Sequence, residues 1–519
     1  MPTRPSILTL TAFHAVVLFG AAQAEEPLTV IDWLGQPTVQ DIPETVLMEP
    51  AVTGSAARPE ITVTPLEALL PPIGLVAPSA TGLPVDLWRS SDPKDIARLI
   101  REVPVRNSPA MQSLLFTLLL SESRPLPSGD DAILLARLDR LISLGAIDPA
   151  QALAEQAGPT TSSGRFARWF DATLLTGDED RACAALTAAP YLAPDYGARI
   201  FCAARRGDWP TAALMLESAH ALGLLPSDRL ALLDRFLNPD IFEGAPPLPA
   251  PETLDPLTFR LFETIGERLP TAPLPRPYAA ADLRDIAGWK AQLEAAERLT
   301  RIGALNPNQL LGLFTERSPA ASGGIWDRVD ALQAFELALH GNALEGRPPA
   351  DPERVSEALT SAWQAATAAR TEVAFADLFA DDLARMQLPD EAEELSWRIR
   401  LLAPTYELAA RRPPSQSAED LFLAALAQGR PQEATPPSEL ARSIAAGFAG
   451  QADLPLSVRR HLDNGQLGEA ILHSMALFAR GADGNLGDLT GALMSFRAMG
   501  LEDTARRASL QLLLLDRRG

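Results

Sequence analysis

Apolar residues recur at helical spacing over most of the chain. From about residue 91 onward they fall three and four positions apart, as in the set Leu134, Leu138, Leu141 and Ile142. This spacing places such residues on one face of a helix. No convincing alternating run indicates a strand, and most predicted helices are roughly 10 to 17 residues long with short turns between them. The pattern therefore predicts an all-α fold.

Local start and stop signals support this prediction. A capping side chain followed by proline suits a helix start, because the side chain accepts from a free N–H group and proline fits the first helical position. Glycine after an apolar run suits a left-handed helix end. The capping pairs are Asp92-Pro93, Ser108-Pro109, Asp148-Pro149, Asp255-Pro256, Asn306-Pro307 and Asp351-Pro352, and the glycines are Gly145, Gly223 and Gly303.

One helix–turn–helix pattern occurs twice. Residues 140–153 (RLISLGAIDPAQAL) and 298–311 (RLTRIGALNPNQLL) are identical at seven of fourteen positions, at a separation of 158 residues. The alternatives are a chance likeness between two junctions and a duplicated block of helical hairpins. We favour duplication, with blocks over 91–270 and 271–519. Leu141 and Leu299 stand at matching places, and we expect both to be buried.

The first 24 residues have the pattern of a secretory signal peptide. Arg4 supplies a positive start, an apolar core runs from Ile7 to Ala22, and residues 22–24 (AQA) fit the small-x-small rule for cleavage. The alternative, an uncleaved membrane anchor, is less favoured because the core is short and interrupted by polar residues. No later run reaches the ~18 apolar residues that a membrane span requires. We therefore predict a periplasmic or secreted protein with no membrane span after cleavage.

A proline-rich arm is predicted over residues 25–90, which contain ten prolines. Proline lacks an N–H donor and fixes φ, so regular helix is excluded over most of this length. We expect a largely flexible arm whose short apolar bursts dock on a partner. The alternative is that these bursts fold back onto the protein's own helices. That alternative is preferred for Leu83–Trp88, which abuts the first helix.

Charge and composition narrow the class of partner. The 519 residues include 66 Asp and Glu but only 45 Lys and Arg, for a net charge of -21, and 47% of residues are hydrophobic. Such an excess of negative charge argues against nucleic acid and anionic membranes as main partners. The apolar content is ample for a folded core.

Motifs that carry chemistry are missing from the sequence. It contains no His-Glu-x-x-His, Cys-x-x-Cys, Gly-x-Ser-x-Gly or phosphate-binding glycine loop. We therefore predict no catalytic residue, no cofactor and no metal. His220 and His340 fall near predicted helix C-termini, which favour a cation. His461 and His473 could meet across a hairpin, but no acidic or Cys ligand is evident near them.

Two acidic groups are interpreted as helix-start features. Asp483, Asn485 and Asp488 superficially match a calcium loop, but the sixth place lacks the required glycine and the twelfth holds Met494. A helix-capping loop is preferred there. The acidic run 390–394 lies in the first turns of a predicted helix, where negative charge suits the helix dipole.

The two cysteines, Cys183 and Cys202, fall in consecutive predicted helices. Pro190 and Pro194 bracket the turn between these helices, which should therefore run antiparallel. Each cysteine stands about two turns from the hairpin tip, so their Cα atoms can reach the ~4.4–6.8 Å that a disulfide needs. We predict a disulfide, which an oxidising compartment permits. The alternative is two small buried residues.

Hairpins of this length, with Ala at close-packed sites and Leu at knobs, resemble tetratricopeptide-like solenoids. Residues 207–225 and 464–470 are similar to units of this kind, although the full consensus is absent. The resemblance implies a solenoid-like array of antiparallel helical hairpins with a groove for protein partners.

The arm also looks like a group of secreted bacterial proteins labelled antifreeze-glycopeptide related, through residues 81–84 (TGLP) and Leu87-Trp88. That label implies arrays of Ala-Ala-Thr. Ala365–Ala369 is an isolated case, so ice binding is not inferred.

These observations favour a non-catalytic periplasmic scaffold or adaptor. It would bind cell-envelope protein partners, whose identity the sequence does not give, through a helical-repeat groove and through the arm. The alternative is a cell-envelope enzyme of the peptidoglycan lytic type. Glu122-Ser123 and Glu217-Ser218 match the Glu-Ser dipeptide of lytic transglycosylases, but both fall within helix patterns and lack the glycine-rich, aromatic context of that site.

Overall fold

The computed structural model describes residues 71–105, 107–126, 131–284, 286–341, 351–450 and 453–515. The predicted signal peptide and the arm up to residue 70 lie outside this part of the chain. Over the described ranges the structure consists of helices and turns without a strand, and isolated bridges join Ile73 to Ser123 and Val76 to Ser121. The all-α prediction is confirmed. None of the helices in these ranges has the length and apolar character that crossing a membrane requires.

The first part of the array runs to residue 282. Its helices are α1 (Pro78–Thr81), α2 (Pro93–Glu102), α3 (Pro109–Leu120), α4 (Ala132–Leu144), α5 (Ile147–Gln156), α6 (Ser163–Thr176), α7 (Glu179–Ala188), α8 (Tyr196–Arg205), α9 (Trp209–Ala221), α10 (Ser227–Leu237), α11 (Pro256–Thr264) and α12 (Ala279–Asp282). Consecutive helices such as α8 and α9 pack against each other as hairpins.

The second part continues the same arrangement. Its helices are α13 (Trp289–Thr300), α14 (Pro307–Thr315), α15 (Ile325–His340), α16 (Pro352–Ala369), α17 (Glu372–Leu383), α18 (Asp390–Arg400), α19 (Tyr406–Ala409), α20 (Ala418–Ala427), α21 (Glu439–Phe448), α22 (Leu456–Asp463), α23 (Leu467–Ala482), α24 (Leu486–Ala498) and α25 (Glu502–Leu514). The pairs α15–α16 and α23–α24 form extensive hairpins.

Most capping pairs start helices as expected, since α2, α3, α11, α14 and α16 each begin at the predicted proline. The cap of α2 is typical: the Asp92 carboxylate accepts from the Lys94 N–H at 2.8 Å. The prediction for Asp148 is wrong, because α5 begins at Ile147 and Ala146 is its cap. The Ala146 N–H bonds back to the Leu141 carbonyl at 3.0 Å, and this compact turn starts α5 two residues early.

The two copies of the repeated junction pack against each other. Gly145 and Gly303 both adopt positive φ, at 83° and 78°, a conformation that glycine takes without the cost of a Cβ clash. Leu141 and Leu299 are 0% and 1% exposed, which confirms the prediction that both are buried. A Cβ on Gly145 would lie 2.5 Å from Leu299 Cδ2. The glycine of one copy therefore makes room for a leucine of the other.

Buried apolar side chains gather mainly into two large clusters. One joins residues 83–262 with Ile302 and residues 397–510, and the other joins residues 279–403 with Leu515. The larger cluster thus draws on the beginning and the end of the described chain. The block boundary at 270/271 stays a prediction.

The two ends of the array meet. Helix α2 packs on α23, and α3 packs on α25. The Ala110 N–H in the first turn of α3 donates to Gln511 Oε1 of α25 at 2.7 Å, across 401 positions of sequence. The hairpins therefore form a closed arrangement, a feature that the sequence pattern did not predict.

The segment from Leu83 to Ser90 packs against α23 where the two ends of the array meet. Leu87 and Trp88 are 1% and 2% exposed. The Gly468 N–H of α23 donates to the Leu87 carbonyl at 3.1 Å, and a Cβ on Gly468 would overlap the Trp88 ring. Folding back is thus confirmed for Leu83–Trp88, and a flexible arm that extends to residue 90 is wrong. The reason is the burial of an apolar side chain. The end of the arm carries the indole of Trp88, which fills the gap between the ends of the array.

Adding one methyl group at Gly468 tests the closure. We expect Gly468→Ala to lower the free energy of unfolding by about 1–3 kcal/mol, because the new Cβ overpacks against Trp88. The matched control is Gly312→Ala in α14, where a Cβ meets nothing within 4 Å. There the helix propensity of alanine should stabilise by up to ~1 kcal/mol. Urea unfolding of both variants measures this, and equal stabilities would contradict the closure.

The repeated junction gives a second stability test. Leu141→Ala and Leu299→Ala should each cost about 2–5 kcal/mol, because each leaves a cavity between packed hairpins. Gln309→Ala, at an exposed place in the second copy, should change stability by less than about 0.5 kcal/mol. Thermal melts of the three variants measure the difference. Similar melting temperatures for leucine and glutamine variants would show that the junction is not a packing centre.

Candidate functional site

A cavity of about 430 Å³, the central cavity, opens where the two repeated junctions meet. Ala146 and Pro149 line it from the first copy, and Gly303, Asn306 and Pro307 line it from the second. The packing of Gly145 against Leu299 places the two turns side by side. Residues of both turns therefore line the same cavity. Its volume falls within the ~300–1,000 Å³ usual for ligand sites.

Helix N-termini surround this cavity. Pro109 of α3, Pro149 of α5, Pro307 of α14 and Val373 of α17 all belong to first turns and all line it. The first N–H groups of a helix have no partner within the helix and carry partial positive charge. Thr371, which precedes α17, makes no side-chain cap bond to it. The first turn of α3 is already capped by Gln511, which also lines the cavity. The four first turns place the positive ends of their helix dipoles at the cavity wall.

Charged side chains add to this potential. Arg301, Arg370 and Arg507 line the cavity, against Asp377 as the acidic residue. Arg301 is oriented by its Nε, which donates to the Ala369 carbonyl at 2.9 Å. Arg507 also pairs with Asp503, at 4.0 Å. In a chain with net charge -21, arginines still outnumber acidic residues in the cavity lining, which favours a negatively charged ligand.

The same cavity has an apolar wall and a buried hydroxyl. Phe116, Leu120 and Leu305 line it. Thr300 also lines it and is 7% exposed, and its Oγ1 has no hydrogen-bond partner among the described residues. A buried hydroxyl without a partner carries a desolvation cost that a bound polar group would relieve. The arrangement suits a ligand that is anionic on one side and apolar on the other.

The two cysteines lie at disulfide distance. Cys183 of α7 and Cys202 of α8 have Cα atoms 4.9 Å apart and are both buried. A short 3₁₀ turn, Pro190–Leu192, reverses the chain between the two helices. This geometry fits the antiparallel hairpin and the disulfide predicted from the two prolines.

The structure brings His461 and His473 together and adds an acidic group. Their ring centroids lie 4.6 Å apart, and Glu469 Oε2 lies 3.3 Å from His461 Nδ1. The expectation that no acidic ligand lies near the pair is therefore wrong. Glu469 and His473 are four apart on α23, a spacing that sequence reasoning could have found. Burial, and then the neighbouring His461, lower the pKa of His473.

The other histidines sit near helix ends as expected. His220 lies in the last turn of α9, and His340 is the final residue of α15. His340 Nε2 lies 3.2 Å from a carboxylate oxygen of Asp382. Both positions favour a cation at a helix C-terminus.

The two acidic groups act at helix starts. Asn485 Oδ1 accepts from the Asp488 N–H at 3.2 Å and so caps α24, and Asp488 pairs with Arg480 at 2.6 Å. In α18, Glu394 pairs with Arg398 at 3.1 Å. Local helix geometry accounts for both groups.

The two Glu-Ser dipeptides lie in different settings. Glu217 is exposed on α9, as its helix pattern indicated. Glu122 is not in a helix, because α3 ends at Leu120. Its N–H donates to the Val76 carbonyl at 3.0 Å, and this bridge to the preceding segment takes the chain out of the helix.

The carboxyl group of Asp171 in α6 has a raised pKa, which the sequence pattern did not indicate. Burial, reinforced by the charge of Asp255, raises the pKa of Asp171 to about 7, while Arg168 opposes the shift. Asp255 is the cap of α11 and accepts from the Thr258 N–H at 2.7 Å. The high pKa thus arises where a half-buried carboxyl group lies near the capping carboxylate of a neighbouring helix.

Comparison with protein-family models, curated proteins and solved structures finds no match to this chain. Functional inference therefore rests on the geometry of the chain itself. The cavity, the cysteine pair and the histidine cluster are the features that geometry provides.

Disulfide formation is directly measurable. Protein isolated without reductant should contain no free thiol, and peptide mapping by mass spectrometry should find Cys183 joined to Cys202. Cys183→Ser with Cys202→Ser should lower stability by about 3 kcal/mol, the chain-entropy value for a loop of 19 residues. Two free thiols in protein from an oxidising compartment would show that the pair only packs.

Proposed function

We propose that the protein is a non-catalytic scaffold or adaptor of the cell envelope that holds a protein partner by an acidic segment in the central cavity. The observation that carries this proposal is the convergence of four helix N-termini and three arginines on one cavity. The lining of the cavity defines the chemistry of the partner segment, which is an extended peptide with carboxylates next to apolar side chains.

The two walls of the cavity explain both parts of that chemistry. Arg301 and Arg370 are exposed, so they can meet carboxylates without a large desolvation cost. Planar guanidinium groups bind carboxylates by paired hydrogen bonds. Phe116 and Leu305 offer apolar contact on the other wall. Binding at such a site should weaken with salt, because exposed charges are screened.

The enzyme alternative is less well supported. Hydrolysis of a glycosidic bond uses two carboxyl groups roughly 5–9.5 Å apart. Among the described residues that line the cavity, Asp377 is the sole carboxylate. A binding site for an acidic group needs no such pair, and the lining fits that role better.

The location in the envelope rests on two features. One is the signal pattern of the first 24 residues, which lies outside the described part of the chain. The other is a cysteine pair at disulfide distance, which is characteristic of oxidising compartments. Consecutive helices pack as hairpins, and arrays of helical hairpins commonly present binding surfaces. Residues 25–70 offer the partner a second contact.

Charge reversal in the cavity tests the proposal. The probe is a fluorescent peptide, Glu-Leu-Glu-Phe-Asp-Glu, compared with its neutral form, Gln-Leu-Gln-Phe-Asn-Gln. We expect the acidic peptide to bind at least about tenfold more tightly, a difference of ~1.4 kcal/mol. The double variant Arg301→Glu, Arg370→Glu should remove this preference, as measured by fluorescence anisotropy at two salt concentrations.

Arg385→Glu is the matched control. Arg385 is exposed and follows the C-terminal end of α17, the opposite end from the cavity, so its reversal should leave binding unchanged. Unaltered melting temperatures verify that all variants are folded. Equal binding of both peptides, no binding of either, or full binding by the double variant would each overturn the proposal. Co-purification from cells, with the double variant as the negative control, then identifies the partner.

A further inference from the structure

His461, Glu469 and His473 form a compact cluster on the hairpin α22–α23. One potential ligand atom from each residue lies within 4.8 Å of the other two. The imidazole rings stack at an interplanar angle of 15° with centroids 4.6 Å apart. This cluster belongs to neither the central cavity nor the cysteine pair.

Helix geometry explains why the three groups meet. Glu469 and His473 are four residues apart on α23, so they share one face. His461 lies in the last turn of α22, and the chain reverses at Gly465, which has φ 71°. The reversal places His461 beside the first turns of α23, where the other two residues stand.

Glu469 is the group that points to a ligand. It is 5% exposed, and within the described chain its ion-pair partner is His461, which is charged only when protonated. Neither Lys nor Arg from the described ranges pairs with it. A buried carboxylate is normally neutralised by a cation or by a metal ion. The cluster therefore supplies one carboxylate and two imidazole side chains but no permanent cation.

We propose that this cluster is a zinc site, with nitrogen ligands from His461 and His473 and an oxygen ligand from Glu469. Two imidazoles and one carboxylate are a known zinc ligand set, in which the fourth position is open to water. Zn²⁺ would supply the positive charge that Glu469 lacks. The His461–Glu469 side-chain pair already faces correctly, with Nδ1 and Oε2 3.3 Å apart.

The distances need little adjustment. Zinc binds nitrogen and oxygen at about 2.0–2.2 Å, so two ligand atoms of a tetrahedral site lie roughly 3.4 Å apart. The largest separation in the cluster is at most 4.8 Å. Closing it by about 1.4 Å is within the reach of a side-chain rotation.

Nearby arginines do not cancel the attraction for a cation. Arg98 and Arg480 are the positive groups that act on His473. Arg98 pairs with Asp95 and Glu102, and Arg480 pairs with Asp488. Each positive charge is thus balanced by a carboxylate of its own.

The site adjoins the closure of the array. Zinc bound at His461 Nδ1 would displace the contact that Gln466 Oε1 makes there at 2.9 Å. Gln466 Nε2 would still donate to the Ser90 carbonyl, at 3.0 Å. Zinc would therefore fix α22 to α23 next to the segment that seals the ends. A ligand that binds only the folded state raises its stability by mass action.

The experiment uses metal-free mature protein titrated with Zn²⁺ against a chromogenic chelator. We expect one equivalent of zinc per chain and a rise in melting temperature. His473→Gln and Glu469→Gln should each weaken binding by at least about tenfold. His220→Gln, on an exposed position of α9, is the control and should bind as the wild type does.

Co²⁺ binding gives a spectroscopic readout that does not depend on how a variant changes the stability of the protein. Cobalt in a low-coordinate nitrogen and oxygen site should show visible absorption bands that disappear in His473→Gln but persist in His220→Gln. Absence of stoichiometric zinc binding, or binding and spectra that are unchanged in both cluster variants, would overturn the assignment. Peptide binding in the central cavity is measured separately, so failure of one proposal is distinguishable from failure of the other.

Discussion

The packing of Trp88 on Gly468 is the contact on which the closed arrangement depends. In an array of hairpins each unit touches mainly its neighbours, so the two ends normally remain apart. Here one indole near the start of the described chain lies directly on the backbone of α23, because position 468 has no side chain. A buried tryptophan removes roughly 150–250 Å² from water. That contact, together with the Ala110–Gln511 hydrogen bond and the packing of α2 on α23 and of α3 on α25, couples the first helices to the last.

Local chemistry made much of the architecture predictable. A capping side chain before proline and a glycine after an apolar run act within one turn of helix, so Asp92 and Gly145 reveal their roles without tertiary context. The hairpin that contains Cys183 and Cys202 was equally predictable, because Pro190 and Pro194 bracket its turn. Asp148 shows the limit: a compact turn only two residues upstream changed which residue caps α5.

Contacts between distant positions were not predictable in the same way. The cavity depends on the packing of Gly145 against Leu299, and single-sequence patterns do not specify how two similar junctions face each other. The cluster of His461, Glu469 and His473 depends on the register between α22 and α23, which decides that Glu469 rather than a neighbour meets His461. In both cases the residue types were visible in the sequence, but their meeting point was set by packing.

Closure also constrains how such a chain can change in evolution. An open repeat array lengthens by whole units, because each added unit only displaces a terminal cap. In this protein an additional hairpin that displaced α23 would break the Gly468–Leu87 hydrogen bond and separate α23 from Trp88. The contact between the two ends therefore disfavours the addition of whole hairpins. Variation in length should be confined to the loops between helices.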